Sequence, residues 1–164
     1  MDMQQVITAI NESACQVEGL ASPLNETQLN TVPYPKSWTA AQLLRHLVKS
    51  ETLMTGALET PAALASRDTT QRVAELGQIF LDPTNRLNSP DLIVPEEGHY
   101  GKAAILTEWQ QALDRFDHAA AAANPAELIG DLPLGPVTKL EIAHFVLFHT
   151  QRHLIQMRKI VAAL

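Results

Sequence analysis

Apolar residues recur every three or four positions along four long stretches of this chain, and proline and glycine gather in the gaps between them. That period belongs to amphipathic helices, each of which has to bury its apolar stripe against a neighbour, so the pattern predicts an all-α four-helix bundle. The first stretch, about residues 2–20, sets Val6, Ile10, Ala14 and Val17 on one stripe and stops near Gly19 and Pro23. The second opens at Ser37-Trp38-Thr39, where Thr39 and Gln42 have the spacing of a capping box, and runs to Pro61. Its stripe is Leu43, Leu47, Met54 and Ala57, and His46 and Ser50 fall in that same sector. The third, about residues 102–123, aligns Ile105, Trp109, Ala112, Leu113, Phe116 and Ala120 before Asn124-Pro125 ends it. The fourth starts at Thr138, capped with Glu141, and continues to the C-terminus. Helices of roughly 17 to 25 residues rise about 25–37 Å each. Between the second and third, Arg67 to Leu81 predicts an additional short helix, and the prolines and asparagines from Pro83 to Gly101 predict a long loop. No period-two run competes with the helical reading.

A chain of 164 residues suits a single domain, 1–164, with one core, and 46% hydrophobic against 18% charged residues excludes disorder. Twelve Lys and Arg against eighteen Asp and Glu give a net charge of −6 without any basic cluster, so the electrostatic footprint needed for nucleic acid is missing. No stretch approaches the roughly 18 uninterrupted apolar residues of a membrane span. The N-terminus carries Asp2 early and lacks both a positive region and a long apolar run, so it does not read as a signal peptide. Cys15 stands alone and can form no disulfide within the chain. Together these features predict a cytoplasmic protein that engages neither nucleic acid nor membrane.

Six histidines carry the chemical signal, and helical geometry sorts them. His149 and His153, four apart, bring their imidazoles to neighbouring places on one helix face, close enough to share a metal ion. His144, nine residues before His153, is rotated by about 180° and cannot join them. His118 falls on the polar side of its helix, and His99 belongs to the loop, where solvent is its expected surrounding. His46, a polar residue in the buried stripe of another helix, is the third candidate. Three neutral imidazoles suit Zn²⁺, Ni²⁺ or Fe²⁺ and leave coordination positions open, and bundle cores commonly hold such sites.

Two motifs give the chain a family resemblance: Ser37-Trp38-Thr39 leading to His46-Leu47, and the run His149-Thr150-Gln151-Arg152-His153-Leu154-Ile155-Gln156. With them the chain resembles the DinB-like superfamily of bacterial four-helix-bundle proteins, also called YfiT-like metal-dependent hydrolases. The resemblance implies that His46, His149 and His153 bind one divalent metal, zinc first, with nickel or iron as alternatives. It also implies a homodimer and a small-molecule substrate, since members of known activity transfer a low-molecular-weight thiol to an electrophile or isomerise with one. A metal-bound thiol is deprotonated to the nucleophilic thiolate, whereas a hydrolase would use the metal to lower the pKa of water towards about 7. A stress-associated, non-catalytic metal-binding or ligand-sensing bundle is the competing reading.

No second catalytic group stands out. Thr150 occupies the place where an H-E-x-x-H protease has its general-base Glu, and Glu51 is rotated from His46 by about 140°. Gln156 is a candidate for a hydrogen bond to a ligand imidazole. Arg152 is a candidate for binding an anionic substrate, with an exterior salt bridge as the more ordinary expectation. Trp38 and Trp109 read as packing anchors and Cys15 as a small core residue. The stretch Pro83 to Gly101 is the expected wall or lid of a pocket.

Overall fold

In the computed structural model, which describes all residues from Met1 to Leu164, the four apolar stripes close on one another. Helices α1 (Met3–Ala21), α3 (Ala40–Glu59), α5 (Lys102–Ala122) and α6 (Lys139–Ala162) form the bundle. Around the bundle α1 packs on α6, α6 on α3, α3 on α5 and α5 on α1, so of the bundle helices consecutive in sequence only α3 and α5 are neighbours, while α1 and α3, and α5 and α6, lie across the diagonals. Every residue assigned to the stripes of α1, α3 and α5 is buried. Capping boxes start α1 (Asp2 with Gln5), α3 (Thr39 with Gln42) and α6 (Thr138 with Glu141), each satisfying amide donors that a helix leaves free at its N-terminus. No helix is long and apolar enough to cross a membrane.

The connections hold what periodicity could not show. A single-turn helix α2 (Glu26–Leu29), capped by Asn25 and Gln28, lies between α1 and α3. The short helix expected over 67–81 is α4 (Val73–Leu81), shorter at its start, and it packs on α6. The predicted loop after it contains a 3₁₀ turn, Asp91–Ile93. Two-residue strands β1 (Leu128–Ile129) and β2 (Val137–Thr138) pair antiparallel ahead of α6; two residues are too few to leave an alternating pattern.

Cys15 is a correction: it is exposed, because it lies just outside the buried sector defined by Ala14 and Val17. His144, in contrast, is buried away from the other two histidines of α6, its Nδ1 donating to the Leu140 carbonyl.

One ion pair ties the long crossover to the bundle. Glu141 is fully buried and accepts from both Arg67 guanidinium nitrogens at 2.7 and 2.6 Å, from the Arg72 amide at 2.7 Å and from the Thr138 amide at 2.8 Å. Burial pushes the Glu141 carboxyl up, but the Arg67 guanidinium and the two amides more than reverse this and hold it below its ordinary value. The carboxylate therefore does more than close a capping box: it fixes the start of α6 against the segment that leads into α4. Its contribution to stability is present above the unfolded carboxyl value near 4.5 and is lost as pH falls through the depressed folded value. Substituting Arg67→Ala leaves that charge buried without its partner and is expected to cost roughly 3 kcal/mol in urea unfolding at neutral pH. A loss below about 0.5 kcal/mol, the range of ordinary surface changes, would contradict this role.

Candidate metal centre

The packing of α3 on α6 brings together the three histidines singled out by the sequence. His46 projects from the buried stripe of α3, and His149 and His153 project one turn apart from the facing side of α6. All three are buried. Their Nε2 atoms form a nearly equilateral triangle, each pair 3.1 Å apart.

The opposite ring nitrogen of each imidazole has its own contact. His46 Nδ1 lies 2.9 Å from the Ile93 carbonyl oxygen, which can only accept, so Nδ1 carries the proton and Nε2 presents a lone pair. His153 Nδ1 donates to Gln156 Oε1 at 2.9 Å, with the same result. His149 Nδ1 stands 3.5 Å from the Ser50 hydroxyl. Rings also pack around the imidazoles: Trp38 lies 4.9 Å from His46, and Phe145 stacks on His149 at 5.2 Å, both between centroids. These contacts hold the imidazoles in place before any ligand arrives.

Burial holds all three histidines neutral. It lowers His46, takes His149 well below the ordinary histidine value, with further lowering from His153 and His46, and takes His153 down to about 3. The Nε2 lone pairs of His46 and His153 thus face one point, and the Ser50 hydroxyl, which can accept as well as donate, allows His149 Nδ1 to hold the proton and Nε2 to present a third. An ion bonded at about 2.0–2.1 Å to three nitrogens sets them about 2.9 Å apart at right angles and about 3.4 Å apart at the tetrahedral angle. The observed 3.1 Å falls inside that range, so the donor set fits one first-row divalent ion.

The three histidines line a cavity of about 300 Å³. Leu53, Met54, Phe80, Leu134 and Phe145 make its apolar wall, and Arg86 to Pro90 with Ile93 close the side formed by the loop. The first half of the stretch expected as a wall therefore is one. His99 is not: it is exposed and pairs with Glu26 at 2.9 Å.

The other sequence candidates resolve individually. Gln156 bonds a triad imidazole, that of His153, three residues before it. Arg152 makes no exterior salt bridge, which corrects that expectation; its guanidinium donates to the carbonyls of Phe80, Asp82 and Asn85 at 3.1, 3.0 and 2.6 Å. It thereby closes the C-terminal end of α4 and stands at the cavity wall. Glu51 is buried away from the cavity, where its Oε1 accepts from the Thr150 hydroxyl at 3.5 Å, and burial raises its carboxyl well above the ordinary value. No Asp, Glu, Lys, Tyr or Cys lines the cavity. The contribution of Ile93 had no signal in the sequence, because a backbone carbonyl carries none.

The depressed imidazoles set the sign of a pH effect in metal-free protein. Above the unfolded histidine value near 6.5 both states are neutral; as pH falls towards the folded value, which is about 3 for His153, only the unfolded chain gains protons and stability is lost. Urea unfolding of metal-free protein should therefore weaken between pH 6.5 and 5, and His153→Leu should remove about 2 kcal/mol of that loss. An unchanged pH slope in the variant would contradict the burial of a neutral His153.

No curated protein matches the chain. The model of the DinB superfamily matches residues 10–157, a span that includes all three converging histidines, Gln156 and both sequence motifs. The chain belongs to the DinB superfamily.

Proposed function

We propose that this protein is a metal-dependent enzyme that transfers a low-molecular-weight thiol to a small organic electrophile, with His46, His149 and His153 holding one divalent ion, zinc before nickel or iron. The observation that carries this reading is the convergence of three buried, neutral Nε2 atoms at 3.1 Å spacing on the wall of an organic-sized cavity. An ion held by three protein ligands would keep coordination positions open and would supply the positive charge that favours a thiol as its nucleophilic thiolate.

The chain's own residues then have defined parts. Ile93 and Gln156 keep the Nδ1 protons of His46 and His153 and so aim the Nε2 lone pairs inward. The apolar wall of Leu53, Met54, Phe80 and Phe145 suits the carbon skeleton of an electrophile and limits water around the sulfur. During transfer the sulfur forms the new carbon–sulfur bond; with an alkylating electrophile the leaving group departs with the electron pair of the broken bond and the thiol proton passes to solvent, and with an epoxide the ring carbon–oxygen bond breaks and the freed oxygen takes up a proton. Hydrolysis is the second reading: an ion held by the same three histidines would itself lower the pKa of a bound water towards about 7, so the absence of a carboxylate, lysine or tyrosine from the cavity does not separate the two, and the substrate panels do.

The test is to load the protein with one equivalent of zinc, nickel or iron and incubate it with panels of small thiols and alkylating or epoxide electrophiles. Thiol consumption above the protein-free rate, a thioether product by mass spectrometry and loss of both in His149→Ala are expected. Thiols left unconsumed, with esters, amides and lactams also intact, would contradict an enzyme and return the centre to a non-catalytic, structural or sensing part.

A further inference from the structure

The distribution of charge around the cavity is out of keeping with the rest of the chain. Of the twelve Lys and Arg residues, Arg45, Lys49, Arg67, Arg72 and Lys139 pair with carboxylates. Four that do not, Lys36, Arg86, Arg152 and Lys159, line three adjoining clefts that meet at Arg152, the innermost being the histidine cavity. Not one of the eighteen Asp and Glu residues lines any of the three. In a chain of net charge −6 this is a local reversal of sign around the clefts that His153 and Gln156 line.

The four cations are not equivalent. Arg152 spends three of its N–H groups on carbonyls and makes no direct ion pair, although the nearby Asp82 carboxylate feels its charge. Arg86 is exposed on the loop wall and has no hydrogen-bond partner, so its planar fork of donors is free. Lys36 and Lys159 are exposed at the outer clefts, on either side of Gln156. Phosphate sites are usually built from glycine-rich backbone or a helix N-terminus, and no glycine lines these clefts. A guanidinium fork pairs bidentately with carboxylate and phosphate alike, and with no glycine-rich backbone beside Asn88 and Ser89 to cradle a phosphate the planar carboxylate is the better match.

We propose that the small molecule bound in the cavity is carboxylate-bearing, that Arg86 is the residue that recognises its carboxylate, and that Lys36 and Lys159 draw the anion in across the mouth. This rests on the cavity being the substrate site of the function proposed above, while the recognition of the anion needs no metal.

Titration calorimetry on the full chain, zinc-loaded and metal-free, tests it with three probes and their controls: succinate against inorganic phosphate, mercaptosuccinate against 2-mercaptoethanol, and 4-methylbenzoate against 4-methylbenzamide. Succinate is expected to bind both forms of the protein, more tightly than phosphate and less tightly as salt is raised to about 0.15 M. Arg86→Gln should weaken it about tenfold, and Lys36→Gln with Lys159→Gln should flatten the salt dependence. All three substitutions fall on exposed side chains, so the fold is not at risk. A preference for the anion in the thiol pair alone puts the carboxylate on the thiol, and in the benzoate pair alone on the electrophile; either result supports the proposal. Equal binding of charged and neutral members in both pairs, an unchanged Arg86→Gln, or phosphate binding above succinate would overturn it. Succinate binding in metal-free protein separates this outcome from a failure of the thiol chemistry, which would leave anion recognition intact.

Discussion

Three imidazole nitrogens aimed at one point inside a helical bundle repel one another unless a cation stands between them. That constraint organises the protein. Burial makes the histidines neutral, and the Ile93 carbonyl and Gln156 fix the protons of His46 and His153 on the far side of the rings, so that their Nε2 lone pairs point at the shared centre. The imidazoles are supported in this arrangement by the packing of α3 on α6 and by the aromatic rings of Trp38 against His46 and Phe145 against His149.

Around this centre the irregular crossover between α3 and α5 acts as part of the site. Its 3₁₀ turn supplies the Ile93 acceptor, its residues Arg86 to Pro90 wall the cavity, and Arg152 anchors the end of α4 through three carbonyls. At the other end, Glu141 holds Arg67 and the backbone before α4. Two residues of α6 thus pin both ends of α4, from which the loop that walls the histidine cavity departs. The same arrangement gathers positive charge at the mouth of the cavity, although the chain as a whole is acidic.

The parts legible in the sequence are those that follow from helical periodicity. Stripes such as Val6, Ile10, Ala14 and Val17, the capping boxes at Thr39 and Thr138, and the four-residue spacing of His149 and His153 are local features, and a polar His46 within an apolar stripe is conspicuous for the same reason. What depended on distant partners was not legible. Arg67 meets Glu141 across 74 positions, and Arg152 meets Asn85 across 67. The rotation of Glu51 away from His46 was readable, but its burial beside Thr150 was not, because that depends on how closely α6 approaches the other side of α3. Cys15 went the wrong way, since one position at the edge of a stripe separates a buried side chain from an exposed one.

The centre itself is tested most directly by elemental analysis of the untagged protein, purified without chelators, beside His46→Ala and His153→Ala. One equivalent of zinc, nickel or iron in the parent, absent from both variants while their helical circular dichroism is kept, is the predicted result. A parent that takes up none of these ions, even after incubation with each, would contradict it and make the three converging histidines a feature of core packing alone.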